Sequence, residues 1–301
     1  MSERTKGIIL ALAGGTLWGF SGACGQFLFQ YKGAHPYWVS VWRMLLSGLI
    51  LLAISFIQHK KAVFRAFSKA LILPMLIFSL IAVVMCQYGY FCAIGASNSA
   101  TATVLQYISP VFVMLFVCIA SKRLPSKTEL AALACAVASV FLMATGGSIH
   151  NLSISKTALV WGILSGIGYS MYTVQSPSLS AQCGLFPMLA WGNLIGSVIM
   201  ICLNPQSLFS YTPDMGGFMA LMGTTVVGNV ISYSLFVVGC KKAGSVTGSL
   251  CACIEPLSSA VFAFLWLGTR FKASDFAGLV LIVGTVVILT LSRDRGRAEQ
   301  S

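Results

Sequence analysis

The sequence predicts an all-helical protein that crosses a membrane many times. Of its 301 residues, 57% are hydrophobic and only 9% are charged, and the mean hydropathy is +0.87. A soluble domain carries about 25% charged residues, so this chain cannot cover a globular surface with polar groups. Apolar runs of about 20 residues, the length that crosses a bilayer core as a helix, recur along the whole chain. Strands of a membrane barrel would instead alternate over about ten residues.

Ten of these apolar runs are long enough to be predicted as transmembrane helices. Their expected bounds are 7–30, 37–57, 70–94, 99–121, 128–146, 157–177, 186–203, 215–240, 245–268 and 273–292. Arg4 and Lys6 precede the first run, as they would precede a signal peptide. The apolar part of that run is longer than the usual 7–15 or so residues and continues without a small-residue cleavage site. We therefore expect it to remain as the first helix.

Basic residues lie mainly on one side of the predicted spans. If the N-terminus is cytosolic, fourteen of them face the cytosol and only Lys32, Lys156, Arg270 and Lys272 face outward. The fourteen are Arg4, Lys6, Lys60, Lys61, Arg65, Lys69, Lys122, Arg123, Lys127, Lys241, Lys242, Arg293, Arg295 and Arg297. This positive-inside bias predicts that both termini are cytosolic. It also explains the net charge of +12, because the basic residues set the topology and attract anionic lipid head groups. The charge therefore does not indicate a nucleic-acid partner.

The ten cysteines predict neither disulfides nor a metal site. Nine lie within apolar spans, and Cys183 falls in a predicted cytosolic linker. A buried free cysteine behaves as a small hydrophobic side chain. Cys251 and Cys253 lack the spacing and the histidine partners of known metal sites. No glycine-rich stretch ends in Gly-Lys-Ser/Thr, so ATP is not expected as the direct energy source. We expect no cofactor.

The second half of the chain repeats the first. A shift of 146 residues lays "ATVLQYISPVFVMLF" (102–116) on "GSLCACIEPLSSAVF" (248–262). The shift pairs Ser99 with Ser245, Thr101 with Thr247, Pro110 with Pro256, Phe116 with Phe262, Leu133 with Leu279 and Glu129 with Asp275. Toward the N-terminus it drifts, so that Trp42 falls on Trp191 at 149 and Trp18 near Tyr169 at about 151. The pattern predicts a repeat at 1–147, a second at 156–292 and a short basic cytosolic tail at 293–301.

Each predicted repeat contains five spans. Because five is odd, the second repeat enters the membrane from the side opposite to the first. Inverted repeats of this kind are typical of secondary transporters, whose substrate site lies near the membrane midplane between the halves. The sequence therefore predicts ten transmembrane helices arranged as two inverted five-helix repeats.

Four motifs carry a resemblance to a known family. They are "GTLWGFSGA" (15–23), "WRMLLSG" (42–48), "SATATVLQYISPVF" (99–112) and "GSVTGSLCACIEPLSSAVFAFLWLG" (244–268). In this order and spacing they resemble the drug/metabolite transporter superfamily, specifically its ten-helix EamA branch. The resemblance implies a transporter of amino acids or related compounds, often an exporter, in the cytoplasmic membrane. Family members often end the fourth and ninth helices with a Gly-Glu-Arg-like sequence, whereas "SKRL" (121–124) and "LGTRF" (267–271) here lack the acid.

Two charged residues lie well inside predicted spans. Glu255 is the eleventh residue of its span, roughly 15 Å deep at about 1.5 Å per residue. Arg43 is the seventh residue of its span, roughly 10 Å from the surface. Intramembrane charges are costly and either pair or serve a pathway. Glu255 is a candidate proton carrier or counter-ion for an amine, or else a structural partner of Arg43 or of hydroxyls. Arg43 is a candidate for binding a carboxylate, although it can also snorkel to the interface and orient its helix.

Prolines and polar side chains complete the candidate site. Pro110 and Pro256 lie in the middle of paired spans and free the carbonyls of Gln106 and Ala252, so each is either a hinge or a static bend. The polar and aromatic candidates near midplane depth are Trp18, Gln87, Tyr88, Gln106, Asn193, Asn229 and Tyr233. Such residues hold helices together as often as they bind ligands.

The expected function is alternating-access transport of a small metabolite, with a zwitterion as the candidate substrate, protons as the candidate coupling ion and aromatic residues as gates. The same fold could instead carry a nucleotide sugar or phosphorylated sugar, which would require several intramembrane Lys or Arg. An intramembrane enzyme would need a Ser–His, paired Asp or His–Glu arrangement at membrane depth, and Glu255 is the only acid there. A sensor without flux remains an alternative that the sequence does not exclude. Partners are expected to be the bilayer and the substrate.

Overall fold

The computed structural model describes residues 1–146 and 153–298, and within them the secondary structure is helical with no strands. We number the long helices α1 to α10. They are α1 Glu3–Gln30, α2 Pro36–His59, α3 Ile72–Gly95, α4 Ser99–Ala120, α5 Lys127–Thr145, α6 Lys156–Cys183, α7 Leu185–Leu203, α8 Met215–Ala243, α9 with segments Ser245–Ala252 and Ile254–Leu267, and α10 Ala273–Ala298. Short 3₁₀ turns occupy Lys60–Phe67 and Pro205–Phe209. Position 147, at the end of the first predicted repeat, and residues 299–301 of the predicted tail lie outside the described residues.

Eight of the helices described are long and apolar enough to cross a membrane. The two others are α6, which is 28 residues long but contains five serines and two glutamines, and α10, whose apolar part is the shorter stretch Ala273–Ile288. The protein is thus a polytopic helical membrane protein. Ten spans and cytosolic termini stay predictions.

Side-chain caps define where several helices begin. Ser126 accepts a hydrogen bond from the backbone N–H of Glu129, and the Glu129 carboxylate accepts one from the N–H of Ser126, which forms a capping box at the start of α5. The same carboxylate binds Arg123 through two hydrogen bonds of 2.7 and 2.8 Å. The loop after α4 contains no acidic residue, and its Arg123 pairs with an acid in the first turn of α5.

The two halves exchange helices in a symmetric way. Helix α1 packs on α8 and α9, which lie in the second half, whereas α6 packs on α3 and α4, which lie in the first half. Helices α2 and α7 pack on each other, as do α5 and α10. Contacts are close, because a β-carbon at Gly19 of α1 would overlap with Ser258 Oγ of α9. This exchange encloses a space between α1, α3, α6 and α8.

Helices α3 and α8 each contain a π-helical segment, at Phe78–Met85 and Gly223–Ile231. In α8 the backbone N–H of Ser232 bonds to the carbonyl of Val227, five residues earlier. A shift of 146 places residues 78–85 on 224–231, so the two segments correspond within the repeat. Such segments are rare and occur frequently at functional sites.

Helices α4 and α9 are broken at corresponding points. The first segment of α4 ends at Gln106 and the second begins at Ser109, while in α9 the segments end at Ala252 and begin at Ile254. Pro110 and Pro256 stand near the start of each second segment, where a helix needs no backbone N–H from them. The sequence predicted kinks at these prolines, and the structure has a short turn just before each of them, at Tyr107 and Ile108 in α4 and at Cys253 in α9. Whether either break acts as a hinge stays a prediction.

Candidate substrate cavity

A cavity lies at the centre of the bundle, where the two π-helical segments and the break of α9 meet. Its volume is about 80 Å³, which is room for several waters or one small solute. It is lined by Trp18, Ser21, Arg43, Ala82, Val83, Cys86, Gln87, Tyr90, Gln106, Tyr169, Tyr172, Asn229, Tyr233 and Glu255. Seven of the eight predicted substrate-binding candidates are in this set. The exception is Tyr88, which packs against Tyr37 and Trp161.

Arg43 projects into the cavity from α2 and is 8% exposed. Its Nε donates a hydrogen bond of 3.1 Å to the carbonyl of Thr224, in the π-helical segment of α8. Its guanidinium lies 5.0 Å from the ring centre of Phe91, a cation–π contact. Nη1 and Nη2 have no hydrogen-bond acceptor among the described residues. Arg43 therefore does not snorkel to the interface, and its two terminal nitrogens remain available to a bound anion.

Glu255 reaches the cavity from the first turn of the second segment of α9 and is also 8% exposed. Its Oε2 lies 2.9 Å from the hydroxyl of Tyr107, which is on α4. Oε1 has no hydrogen-bond partner among the described residues. Of the ion pairs found in the described parts of the chain, none joins Glu255 to Arg43. The two intramembrane charges thus face one cavity without direct pairing.

Polar side chains on the cavity wall also hold the helices together. Gln87 Nε2 donates to Asn193 Oδ1 at 3.0 Å, and Asn229 Nδ2 donates to Ser47 Oγ at 2.9 Å. Gln106 Nε2 donates to Ser165 Oγ at 2.6 Å. Among the described residues, no hydrogen-bond partner reaches the buried Gln87 Oε1. Asn193, predicted near midplane depth, is 3% exposed and does not line the cavity itself. It contacts the cavity wall through its hydrogen bond with Gln87.

Aromatic rings form one wall of the cavity. Trp18 packs edge-on against Tyr233 with 5.1 Å between ring centres, and Tyr172 lies 6.1 Å from Tyr233 and 6.3 Å from Tyr169. Tyr169 and Tyr172 were missed by sequence reasoning as site residues, together with Ser21, Cys86 and Tyr90. The repeat held a usable signal for one of them, because Tyr169 is the counterpart of the predicted Trp18.

The cavity is closed toward the end of the bundle that contains residues 31–35, 96–98 and 268–272. Gln26 of α1, 1% exposed, accepts at Oε1 a 2.8 Å hydrogen bond from the backbone N–H of Ser99. Its Nε2 donates to Gln30 Oε1 at 3.0 Å and to Thr269 Oγ1 at 2.9 Å. We call Gln26, Gln30, Ser99 and Thr269 the Gln26 clamp. It joins α1 to the start of α4 and to the loop after α9.

Helices α6 and α8 run from the cavity toward the opposite end of the bundle. Their aromatic residues Tyr172, Tyr233 and Phe236 are each only partly buried. In the Gln26 clamp, Gln26 and Ser99 are buried, whereas Thr269 is partly buried and Gln30 is exposed. The opposite end of the bundle carries Glu3 and Lys242, which form an ion pair.

Comparison with known proteins bears on what this cavity does. The sequence matches the EamA-like transporter family over residues 5–145 and again over residues 156–291. It is 32% identical over 299 residues to an "Uncharacterized inner membrane transporter YicL" of Salmonella typhimurium (strain LT2), covering 99% of this chain and 100% of that protein. It is 24% identical over 275 residues to an "Uncharacterized transporter" of Archaeoglobus fulgidus, covering 88% of this chain and 92% of the relative.

One solved crystal structure of a protein superposes with a TM-score of 0.65 at 16% identity, covering 97% of this chain and 99% of that chain. At this identity the likeness shows the fold alone.

Proposed function

Since this chain belongs to the EamA-like transporter family and is a multi-pass membrane transporter, we propose that it carries a small zwitterionic metabolite of the amino-acid class. It does so across the cytoplasmic membrane by alternating access, with export as the working direction. Ten membrane-crossing helices in two inverted repeats form the transport unit, and both termini face the cytosol.

The observation that carries this proposal is the placement of Arg43 and Glu255 on one cavity without direct pairing. The free Nη1 and Nη2 of Arg43 form the fork that binds a carboxylate through two parallel hydrogen bonds. The carboxyl of Glu255 complements an ammonium group. A ligand with one carboxylate and one amine satisfies both ends, and the aromatic wall of Trp18 and Tyr233 packs against its side chain.

The charge content of the cavity argues against the alternative cargo. A nucleotide sugar or phosphorylated sugar carries at least two negative charges, whereas Arg43 is the one cation that lines this cavity. Glu255 would repel a phosphate. A single carboxylate matches the single guanidinium.

The two ends of the cavity support alternating access. With the positive-inside orientation, the Gln26 clamp lies on the external side and the partly buried aromatic residues lie toward the cytosol. The structure then corresponds to a state closed to the outside. In the complementary state the clamp opens and the ring wall closes. The π-helical segments and the two breaks are the places where the backbone can adjust.

The proposal is tested by counterflow in proteoliposomes across a panel of labelled amino acids and amines, with and without a pH gradient. Arg43→Gln and Glu255→Gln are compared with the wild type. Arg65→Gln, which removes an exposed basic side chain outside the spans, is the matched control. We expect at least one zwitterion to move, and a simple amine to move less. If no compound of the panel moves while the protein is folded, transport of this substrate class is wrong.

A further inference from the structure

The hydroxyl of Tyr107 contacts two hydrogen-bond acceptors at once. It lies 2.8 Å from the carbonyl oxygen of Ala252 and 2.9 Å from Oε2 of Glu255. Tyr107 is 4% exposed and does not line the cavity. The carbonyl of Ala252 is the one that Pro256 leaves without its usual helical N–H donor. One phenol therefore touches both the intramembrane acid and the break of α9.

A count of hydrogens shows that this arrangement depends on the charge of Glu255. A phenol has one hydrogen, so it can donate to only one acceptor at full strength. If the carboxyl is protonated, its O–H donates to Tyr107 Oη, and Tyr107 donates to the carbonyl of Ala252. If the carboxyl is ionised, the two acceptors compete for one hydrogen, and the stronger bond forms to the carboxylate. The carbonyl at the break then loses its donor.

We propose that Tyr107 is the positioning residue that couples protonation of Glu255 to the geometry of the break in α9. The proton enters Glu255 from water in the cavity and returns to it. Its arrival completes a chain of two hydrogen bonds from Glu255 through Tyr107 to Ala252, which ties α9 to α4. Its departure, for example when a substrate amine binds, releases Ala252 from α4. This inference rests on the proposed transport function.

The other titratable groups near Glu255 do not change charge near neutral pH. They are Arg43 on α2, Cys86 and Tyr90 on α3, Tyr107 on α4, Tyr169 on α6, Tyr233 on α8 and Cys253 on α9. Free tyrosine and cysteine titrate at about 10 and 8.5, and arginine stays protonated. Glu255 is the one carboxyl of this set, and the proposal assigns the response to a pH gradient to it.

Infrared spectroscopy tests the link directly and needs no substrate. Difference spectra recorded over a pH series contain the carbonyl band of any protonated carboxyl group. The chain has only seven Asp and Glu residues, and the band absent from Glu255→Gln belongs to Glu255. We expect Tyr107→Phe to move this band to higher wavenumber because it removes the hydrogen bond. Tyr88→Phe, which removes a tyrosine hydroxyl that does not contact Glu255, should leave the band in place.

Transport supplies the second readout. Tyr107→Phe is expected to retain counterflow but to lose the component driven by a pH gradient, down to the level of Glu255→Gln. The double variant should match either single one, because both remove the same link. Retention of pH-driven transport and an unmoved infrared band in Tyr107→Phe would overturn the inference. If no substrate moves but the band shifts, the proposed function fails while the link stands.

A stability comparison keeps the test valid if Tyr107→Phe does not fold. Glu255→Gln can still donate to Tyr107 Oη through its amide, whereas Glu255→Met cannot. We expect thermal unfolding of the wild type to occur at lower temperature as rising pH ionises the carboxyl, and that of Glu255→Gln to change less over the same pH range. Glu255→Met should unfold below Glu255→Gln. Equal unfolding temperatures of the two variants would contradict the hydrogen-bond chain.

Discussion

The two halves of this transporter have the same backbone plan but different chemistry at corresponding points. Helices α4 and α9 break at equivalent positions, yet the residue that matches Glu255 in α4 is Ser109, and the one that matches Tyr107 in α9 is Cys253. At the shift of 149, the counterpart of Arg43 is Gly192. The fold needs none of these polar groups twice. In the transport mechanism proposed above, the backbone plan shared by both halves supports the conformational change, and the residues present in only one half bind the substrate and the proton.

The largest effect is expected for Arg43, which is the charge contributed by the first half. Arg43→Gln removes the fork that would bind a carboxylate. Loss of one partner of a buried charged hydrogen bond costs about 2–5 kcal/mol, so we expect transport kcat/KM to fall by about 30-fold or more. Arg43→Lys should recover only part of this, because an ammonium cannot form the planar two-bond contact. Equal kcat/KM in Arg43→Gln and wild type would place the substrate elsewhere.

The acid of the second half, Glu255, can be placed at its repeat counterpart in the first half, Ser109. In Ser109→Glu combined with Glu255→Ser, the acid stands at the break of α4, where the position matching Tyr107 holds Cys253. We expect the double variant to fold but not to regain pH-driven transport, which would stay at the level of Glu255→Ser alone. The measurement is uptake with and without a pH gradient. Full recovery would mean that the two breaks are functionally equivalent and that Tyr107 is not required.

A third comparison concerns the two ends of the cavity. Gln26 ties α1 to α4 and to the loop after α9, whereas its counterpart in α6, at the shift of about 151 defined by Trp18, is Pro177. A proline side chain cannot form such a clamp. Gln26→Ala removes hydrogen bonds of about 1 kcal/mol each. We expect amide hydrogen exchange at Ser99 to become several-fold faster, because its N–H loses the Gln26 acceptor.

The control for this experiment is Gln182→Ala, an exposed glutamine on α6 that bonds only within its own helix. It should leave exchange at Ser99 unchanged. Faster exchange confined to Gln26→Ala assigns the closure to the clamp. Unchanged exchange in Gln26→Ala would show that apolar packing alone keeps that end shut.

The sequence predicted the charged part of this site better than its aromatic part, for a physical reason. A charge inside an apolar span is costly and therefore rare, so Arg43 and Glu255 were conspicuous. A tyrosine in the same setting is compatible with either face of a helix. Successive residues differ by about 100° around the axis, which is why Gln87 lines the cavity and the neighbouring Tyr88 does not.

Local backbone departures were the least predictable part of the fold. Pro110 and Pro256, at which the sequence predicted kinks, indicated where α4 and α9 are interrupted. The hydrogen bonds in the π-helical segments of α3 and α8 span one residue more than those of an α-helix. No residue type in these segments indicates this, since Phe78–Met85 has the composition of an ordinary apolar helix. Tyr107 could not be identified from the sequence, because its role depends on its hydrogen bond to Glu255 of α9, which is nearly 150 residues away in the chain.

The smallest effect is expected at the loops that follow α4 and α9, where the repeat is again chemically unequal. Glu129 is 9% exposed, receives two hydrogen bonds from Arg123 and completes the capping box of α5. Its counterpart Asp275 accepts a 2.8 Å bond from the backbone N–H of Lys272 and forms no side-chain ion pair among the described residues. The carboxylate of Glu129 raises the pKa of the Arg123 guanidinium further above neutrality, so this pair stays charged at any physiological pH.

Glu129→Ala should therefore lower the free energy of unfolding by about 0.5–2 kcal/mol, the range found for lost helix caps. Asp275→Ala should lower it by less, since only one backbone donor loses its acceptor. The measurement is thermal unfolding of the purified transporter in detergent, with transport activity of the folded fraction as a second readout. Both variants should keep the wild-type kcat/KM. A larger destabilisation by Asp275→Ala than by Glu129→Ala would show that the loop after α9, next to the Gln26 clamp, limits stability more than the loop after α4.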